Sequence, residues 1–231
     1  MKSRTPGRAD TRTFGRALTG AGILLILAAL ALTLYNIHEE RKAERAASRV
    51  LETLDPEIRT AEQKHSEETA VPGEVPYYIL NPEIPMPEIT VDGNSYIGTL
   101  EIVPLDLTLP VMSAWDYTKL KTAPCRYSGS AYTGDLVICA HNYARHFSGI
   151  KGLGSGGEVR FTDVRGNRFR YEITDAEILA PAEVEDMVTG DWDLTLFTCT
   201  TGGQTRFALR CERKQLPGQD RNLVLHRGDE S

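Results

Sequence analysis

Residues 17–37 form a run without one charged side chain, and its centre reads Leu24-Leu25-Ile26-Leu27. As a helix, a run of this length spans about 30 Å, the thickness of a bilayer's hydrocarbon core. It fits a retained transmembrane anchor. A cleavable signal peptide is the competing reading, with Ala29-Leu30-Ala31 as a small-residue cleavage site, but its apolar region usually ends within about 15 residues. Further on, Ala43, Ala47, Val50, Leu51 and Leu54 fall at helical spacing among charged residues, which predicts a helix over 39–54. Asp55-Pro56 is expected to end it.

Residues 57–75 are polar and weakly periodic, as in a stalk, and Pro72, Pro76, Pro82, Pro85 and Pro87 punctuate the chain from there to the first strand. Such a segment favours extended geometry and cannot join a central sheet. We read it as a spacer; a strap lying over a groove is the alternative. From Ser95 onward the pattern shortens to alternating segments bounded by turn residues. Strands are predicted at 96–103, 105–112, 135–140, 158–162, 168–180, 194–199 and 206–213. Arg165-Gly166-Asn167 is a tight-turn signal, and short helices are expected at 146–153 and 114–122. So many short strands predict a mainly β fold, a closed or nearly closed barrel. The domain order expected is a basic tail (1–16), a membrane anchor (17–37), a helical and proline-rich stalk (38–94), the β-barrel (95–214) and a polar C-terminal tail (215–231).

Charge removes one class of function. Lys2, Arg4, Arg8, Arg12 and Arg16 against Asp10 give the tail +4, so a chain of net charge −6 carries −10 beyond its uncharged run. Nucleic-acid binding needs clustered cations, and an acidic domain without a basic stripe excludes it. Arg41, Lys42, Arg45 and Arg49 follow the apolar run closely, so the positive-inside bias that sets orientation is weak. The four cysteines, Cys125, Cys139, Cys199 and Cys211, show no zinc-ligand spacing, and the disulfide state of Cys125, Cys139 and Cys211 is left open. Loop carboxylates such as Glu101, Asp163, Glu183 and Glu185 read as solvated rather than calcium-binding; no metal and no cofactor is expected.

The candidate chemistry sits at two strand ends. In Leu194-Thr195-Leu196-Phe197-Thr198-Cys199 a strand runs directly into a thiol, and Gly202-Gly203 then allow a tight return to Arg206. A thiol there projects beyond the sheet, and a guanidinium brought back beside it can support a thiolate and a developing oxyanion. Leu136-Val137-Ile138-Cys139-Ala140-His141-Asn142 is another apolar strand, ending in an imidazole. Cysteine and histidine so placed are the parts of thiol–imidazole catalysis. Arg206 and Arg210 share a strand face, so face alone does not choose between them; Arg206 lies nearer the strand end that carries Cys199. His146 reads as a helix-start or surface residue, and Cys139 as a buried core cysteine.

These segments resemble the sortases. Thr195-Leu196-Phe197-Thr198-Cys199 with a following Arg is similar to the family's Thr-Leu-x-Thr-Cys signature, and Ala140-His141-Asn142 to its Gly-His-Asn segment. Tyr96-Ile97-Gly98-Thr99-Leu100-Glu101-Ile102 and Leu109-Pro110-Val111 resemble the first two barrel strands. The resemblance covers roughly 95–214 and implies a sortase barrel of about eight strands with short helices. It implies a membrane-anchored cysteine transpeptidase with its N-terminus inside and its catalytic domain outside the cell. Such an enzyme cleaves an LPxTG-like sorting signal through a thioacyl intermediate. It then transfers the surface protein to a peptidoglycan precursor or another cell-wall amine. Cys199 is then the nucleophile, His141 its acid/base partner and Arg206 the carbonyl stabiliser, with Thr198, Asn142 and Ala140 in support. Ala140 departs from the family's Gly, and the short loop before Arg206 points to a class B-like or class D-like enzyme. The alternatives are a cell-surface cysteine hydrolase and a non-catalytic anchored β-domain. The order His before Cys is opposite to that of papain-like proteases, and no caspase-type Gln-Ala-Cys occurs.

Overall fold

The computed structural model describes residues 10–68, 76–200 and 202–214, which fall into two units dividing at Lys42 and Ala43. Lys2, Arg4, Arg8, Pro72 and the 215–231 tail lie outside the described residues. In the first unit, the N-terminal part of helix α1 (Asp10–Glu68) carries the uncharged run, and Leu24, Leu25, Leu27, Leu30, Leu32 and Leu34 are all exposed on it. Among the described residues this is the one helix long and apolar enough to cross a membrane.

In the second unit, Ala43, Ala47, Val50 and Leu54 are buried at the helical spacing the sequence predicts. The expected stop at Asp55-Pro56 does not occur: α1 continues to Glu68 with Pro56 inside it. Proline removes one ladder hydrogen bond and crowds the preceding turn. Burial on both sides offsets that cost. Leu54 and Ile58 flank Pro56 and join a cluster with Tyr96, Met112, Cys125 and Cys139 on the outside of the barrel. Farther along, Glu62 accepts hydrogen bonds from Nε and Nη2 of Arg168 at 2.6 Å each. Residues 43–62, which the sequence places in a stalk, therefore cover one side of the barrel.

A four-residue helix, α2 (Tyr77–Leu80), precedes strand β1 (Ile89–Val91), which flanks the start of β2 (Asn94–Ile102). The barrel continues through β3 (Leu107–Met112), β4 (Cys125–Ser128), β5 (Leu136–Ala140), β6 (Glu158–Asp163), β7 (Arg168–Leu179), β8 (Leu194–Cys199) and β9 (Arg206–Arg213). A short helix, α3 (Val184–Val188), lies between β7 and β8. Strand order is β2-β3-β4-β5-β8-β9-β7-β6, and β6 pairs back onto β2. Eight strands thus close on themselves. Period-two alternation fills the interior with Leu136 and Ile138, Phe161, Phe169 and Tyr171, and Leu194 and Leu196. The expected short helices appear as 3-10 turns at Lys119–Lys121 and Ser148–Gly152.

The closing seam depends on Gly98, which pairs with Asp163. A Cβ built there would collide with the backbone carbonyl of Thr162. Backbone cannot rotate aside as a side chain can, so Gly98→Ala should destabilise the domain by several kcal/mol, on the order of 3. Chemical denaturation of the two forms checks this; an unchanged midpoint would mean the seam yields freely.

The proline segment packs against the barrel from Pro76 onward. Tyr78 stacks on Tyr132 (4.8 Å, 15°) and abuts Phe169, over which the Arg213 guanidinium lies at 4.6 Å. Arg213 and Arg206 are the two ends of β9, about 23 Å apart by strand rise. Tyr78 therefore seals the barrel end remote from Cys199. Asp163, a loop carboxylate by its sequence setting, is buried at the β6–β7 turn. Its two oxygens accept from Tyr132 Oη, Asn167 Nδ2 and the backbone N–H groups of Arg165 and Asn167, at 2.6–2.9 Å.

Candidate active site

Three neighbouring strand ends carry the candidate residues. β5 and β8 run parallel with Ala140 opposite Thr198, so His141 leaves β5 at the level where Cys199 ends β8. β8 and β9 run antiparallel with Cys199 opposite Arg206. The imidazole, thiol and guanidinium thus belong to adjacent strand ends at one mouth of the barrel.

The return from β8 to β9 is built by its own residues. Gly202 and Gly203 take φ of 87° and 71°, a region open to glycine at little cost. The Thr200 N–H donates to the Thr205 carbonyl at 3.0 Å, and the two hydroxyls meet at 2.8 Å. Arg206 Nη1 donates to the carbonyls of Gly203 and Thr205 at 3.2 Å each. Arg206 makes no ion pair among the described residues. Arg210, its rival on the same face, is 2% exposed and fully engaged. Its Nε donates to Glu177 at 2.6 Å, Nη1 to Thr195 Oγ1 at 2.9 Å, and Nη2 to the Asp186 carbonyl at 2.5 Å. Arg210 therefore pins α3 to the outer face of β7–β9, and Arg206 is the guanidinium left at the strand end.

Thr198 points to the opposite face of β8 from Cys199 and donates to the Ala140 carbonyl at 2.8 Å, tying the two site strands together. The Asn142 Oδ1 is buried without a partner, as is Nε2 of His141. Burial, and next the Lys121 charge, lower the His141 pKa below the usual imidazole value. Of the cysteines, Cys199 alone is half-exposed; Cys125, Cys139 and Cys211 are buried, and all four thiols are free. Burial pushes Cys125 and Cys211 up to about 12 and raises Cys139 as well. A thiol that resists ionisation is a poor nucleophile, which sets these three apart from the half-exposed Cys199 as candidates.

His146 departs from expectation. The sequence puts it at the surface, yet it is fully buried, because Phe147 and Ile150 enter the core and draw the turn in with them. Desolvation, and next the neighbouring His141, lower its pKa to about 4. The unfolded chain binds that proton at the ordinary value near 6.5, so stability is complete above it and falls as pH drops toward 4. The full loss is roughly 3 kcal/mol. Urea unfolding at pH 7 and pH 4.5 should show a drop that is smaller in His146→Phe; equal drops would remove His146 as the cause. Tyr143, which no sequence signal singled out, stacks on His141 at 4.8 Å and 30°.

Residues 100–214 match the protein-family model described as Sortase domain. The chain belongs to the sortase family. No curated protein matches it. Among solved structures, the chain is similar to sortase A from Corynebacterium diphtheriae, with 21% identity over 81% of this chain and 96% of that one, TM-score 0.49. It is also similar to sortase C1 from Streptococcus suis, with 24% identity over 53% of this chain and 75% of that one, TM-score 0.46. Sortase C1 from Streptococcus agalactiae gives 22% identity over 52% and 70%, TM-score 0.47. As a sortase, the protein falls among the cysteine transpeptidases.

Proposed function

We propose that this sortase cleaves an LPxTG-like sorting signal and joins the released surface protein to a peptidoglycan precursor or another cell-wall amine. The Cys199 thiolate attacks the carbonyl carbon before the scissile bond, forming a C–S bond, while Arg206 donates hydrogen bonds to the oxyanion. Collapse breaks the C–N bond, and His141 gives its proton to the departing amine. Its lowered pKa makes the imidazolium a stronger acid than a solvated one. The incoming amine then attacks the thioester, His141 takes its proton, and the C–S bond breaks to restore the thiolate. Thr198 and Ala140 hold the two strands in register, and Asn142 follows His141 directly in the chain. No cofactor enters the scheme.

The observation that carries this reading is the meeting of β5, β8 and β9, which brings the one half-exposed cysteine level with His141 and opposite Arg206. In the cell, the 1–16 tail is inside, residues 17–37 span the membrane, and the 95–214 domain faces the wall. The test is incubation of the detergent-solubilised full chain with LPxTG-like and NPQTN-like peptides and hydroxylamine or an oligoglycine amine. Mass spectrometry should find a thioacyl adduct on Cys199 and an amine-capped product. A water-capped product alone would mark a hydrolase, and no adduct with any peptide would mark a binding module.

A further inference from the structure

The segment after β5 brings three rings together. Tyr143 stacks on His141 at 4.8 Å and 30° and also meets His146 at 5.5 Å and 44°. The rings are fixed to a rigid turn: the His146 and Ser148 N–H groups donate to the Tyr143 carbonyl at 3.0 and 3.1 Å, and the Phe147 N–H to the His141 carbonyl at 3.3 Å. Phe147 and Ile150 anchor that turn in the barrel core. From outside, Arg145 pairs with Glu44 of α1 at 3.2 Å.

His146 is fully buried, and neither of its ring nitrogens finds a hydrogen-bond partner. Polar atoms buried unpaired cost stability, so each such group calls for a reason. A metal shared with His141 is not that reason, because no group of three or more metal-ligating side chains comes together among the described residues. A catalytic imidazole normally has its plane fixed by a hydrogen-bonded third group. Here Nε2 of His141 and Oδ1 of Asn142 are both without partners, so Asn142 does not supply that bond through its oxygen. The aromatic face beside His141 is the fixed surface available to it.

We infer that Tyr143 is the positioning residue for His141, with His146 the buried ring that backs it, so that stacking orients the imidazole. This rests on His141 as the acid/base partner of the proposed function. The stack sets the ring plane toward the Cys199 strand end and shields one imidazole face from water. That shielding contributes to the desolvation that lowers the His141 pKa; Lys121, on the adjacent turn, is the charged group acting in the same direction.

The test combines kinetics with proton NMR titration of the histidine rings in the full-length chain in detergent, the latter in a Cys199→Ala background. Tyr143→Leu should move the His141 titration up toward the ordinary imidazole value, shift the acid limb of kcat/KM the same way, and lower kcat roughly ten- to a hundredfold with KM within about twofold. Tyr143→Phe keeps the ring and should retain all three. His146→Leu should follow Tyr143→Leu to a lesser degree, and His146→Phe should resemble the parent. A folded Tyr143→Leu with unmoved His141 titration and unmoved pH profile overturns the inference. Should Tyr143→Leu fail to fold, the same readouts on His146→Leu decide it. The titration needs no substrate, so a chain that forms no thioacyl adduct would refute the proposed function and still reveal whether the stack sets the His141 ring.

Discussion

Cys199→Ala should abolish the thioacyl adduct and lower amine transfer at least about a thousandfold, while leaving the fold intact. The size reflects the lack of any substitute thiol. Cys139 is the nearest alternative in sequence to the site, but it lies under α1 among apolar neighbours, and burial holds its proton on. Cys125 and Cys211 are likewise buried with raised pKa, so no second sulfur replaces the first. Cys199 itself is half-exposed at a strand end, so removing its sulfur opens no core cavity, and the stability change should stay below about 1 kcal/mol. Intact-mass spectrometry of a single turnover reads the adduct, and thermal unfolding reads the fold. An adduct persisting in the variant would assign the chemistry to another residue.

Deleting α1 from the barrel should be as severe for stability as losing the Cys199 sulfur is for amine transfer. A chain that starts at Pro76 loses Val50, Leu54 and Ile58 from their cluster and exposes Tyr96, Met112, Cys125 and Cys139 beneath them. Burying each large aliphatic side chain is worth about 1.5–3 kcal/mol, so the three contribute roughly 4.5–9 kcal/mol, an upper estimate. That is the size of a whole domain's stability. A fragment from Pro76 should therefore unfold at far lower urea than one from His38, or lose its near-ultraviolet dichroism outright. Leu54→Ala, at the most buried position, should cost about 2–5 kcal/mol by itself. Equal midpoints for the two fragments would show that the helix rests on the barrel without supporting it.

Where a local pattern specifies an element, the sequence was readable. Leu194–Cys199 and Arg206–Arg213 are strands with the predicted bounds, because apolar alternation stops at a thiol and resumes past a Gly-Gly loop. The face carried by Ala43, Ala47, Val50 and Leu54 was equally plain from its spacing. Strand β1 was missed although Asp92-Gly93 marks its hairpin, with φ of 51° and 76°, since three residues between Pro87 and a turn show no period. Strand β4 was missed because its four residues are strand only through pairing with β5. The helix past Pro56 and the burial of His146 were hidden for one reason: each is held by packing against residues distant in sequence. Tertiary contact overrode a local stop signal in one case and a polar side chain in the other. Of the candidate site, the residue types and their strand-end settings were legible. The stacking partner Tyr143 was not, since two residues of separation say nothing about which rings will touch.

The seam between β2 and β6 also sets an order of events in the protein's birth. Gly98 must wait for Asp163, and Thr198 must travel back to Ala140, before either finds its neighbour. A polypeptide emerging amino end first therefore exposes an unzipped β2 margin and a greasy helix flank until its last third has begun to arrive. During that interval the nascent molecule is a target for proteases and for stray strand pairing, and its candidate site is not yet assembled.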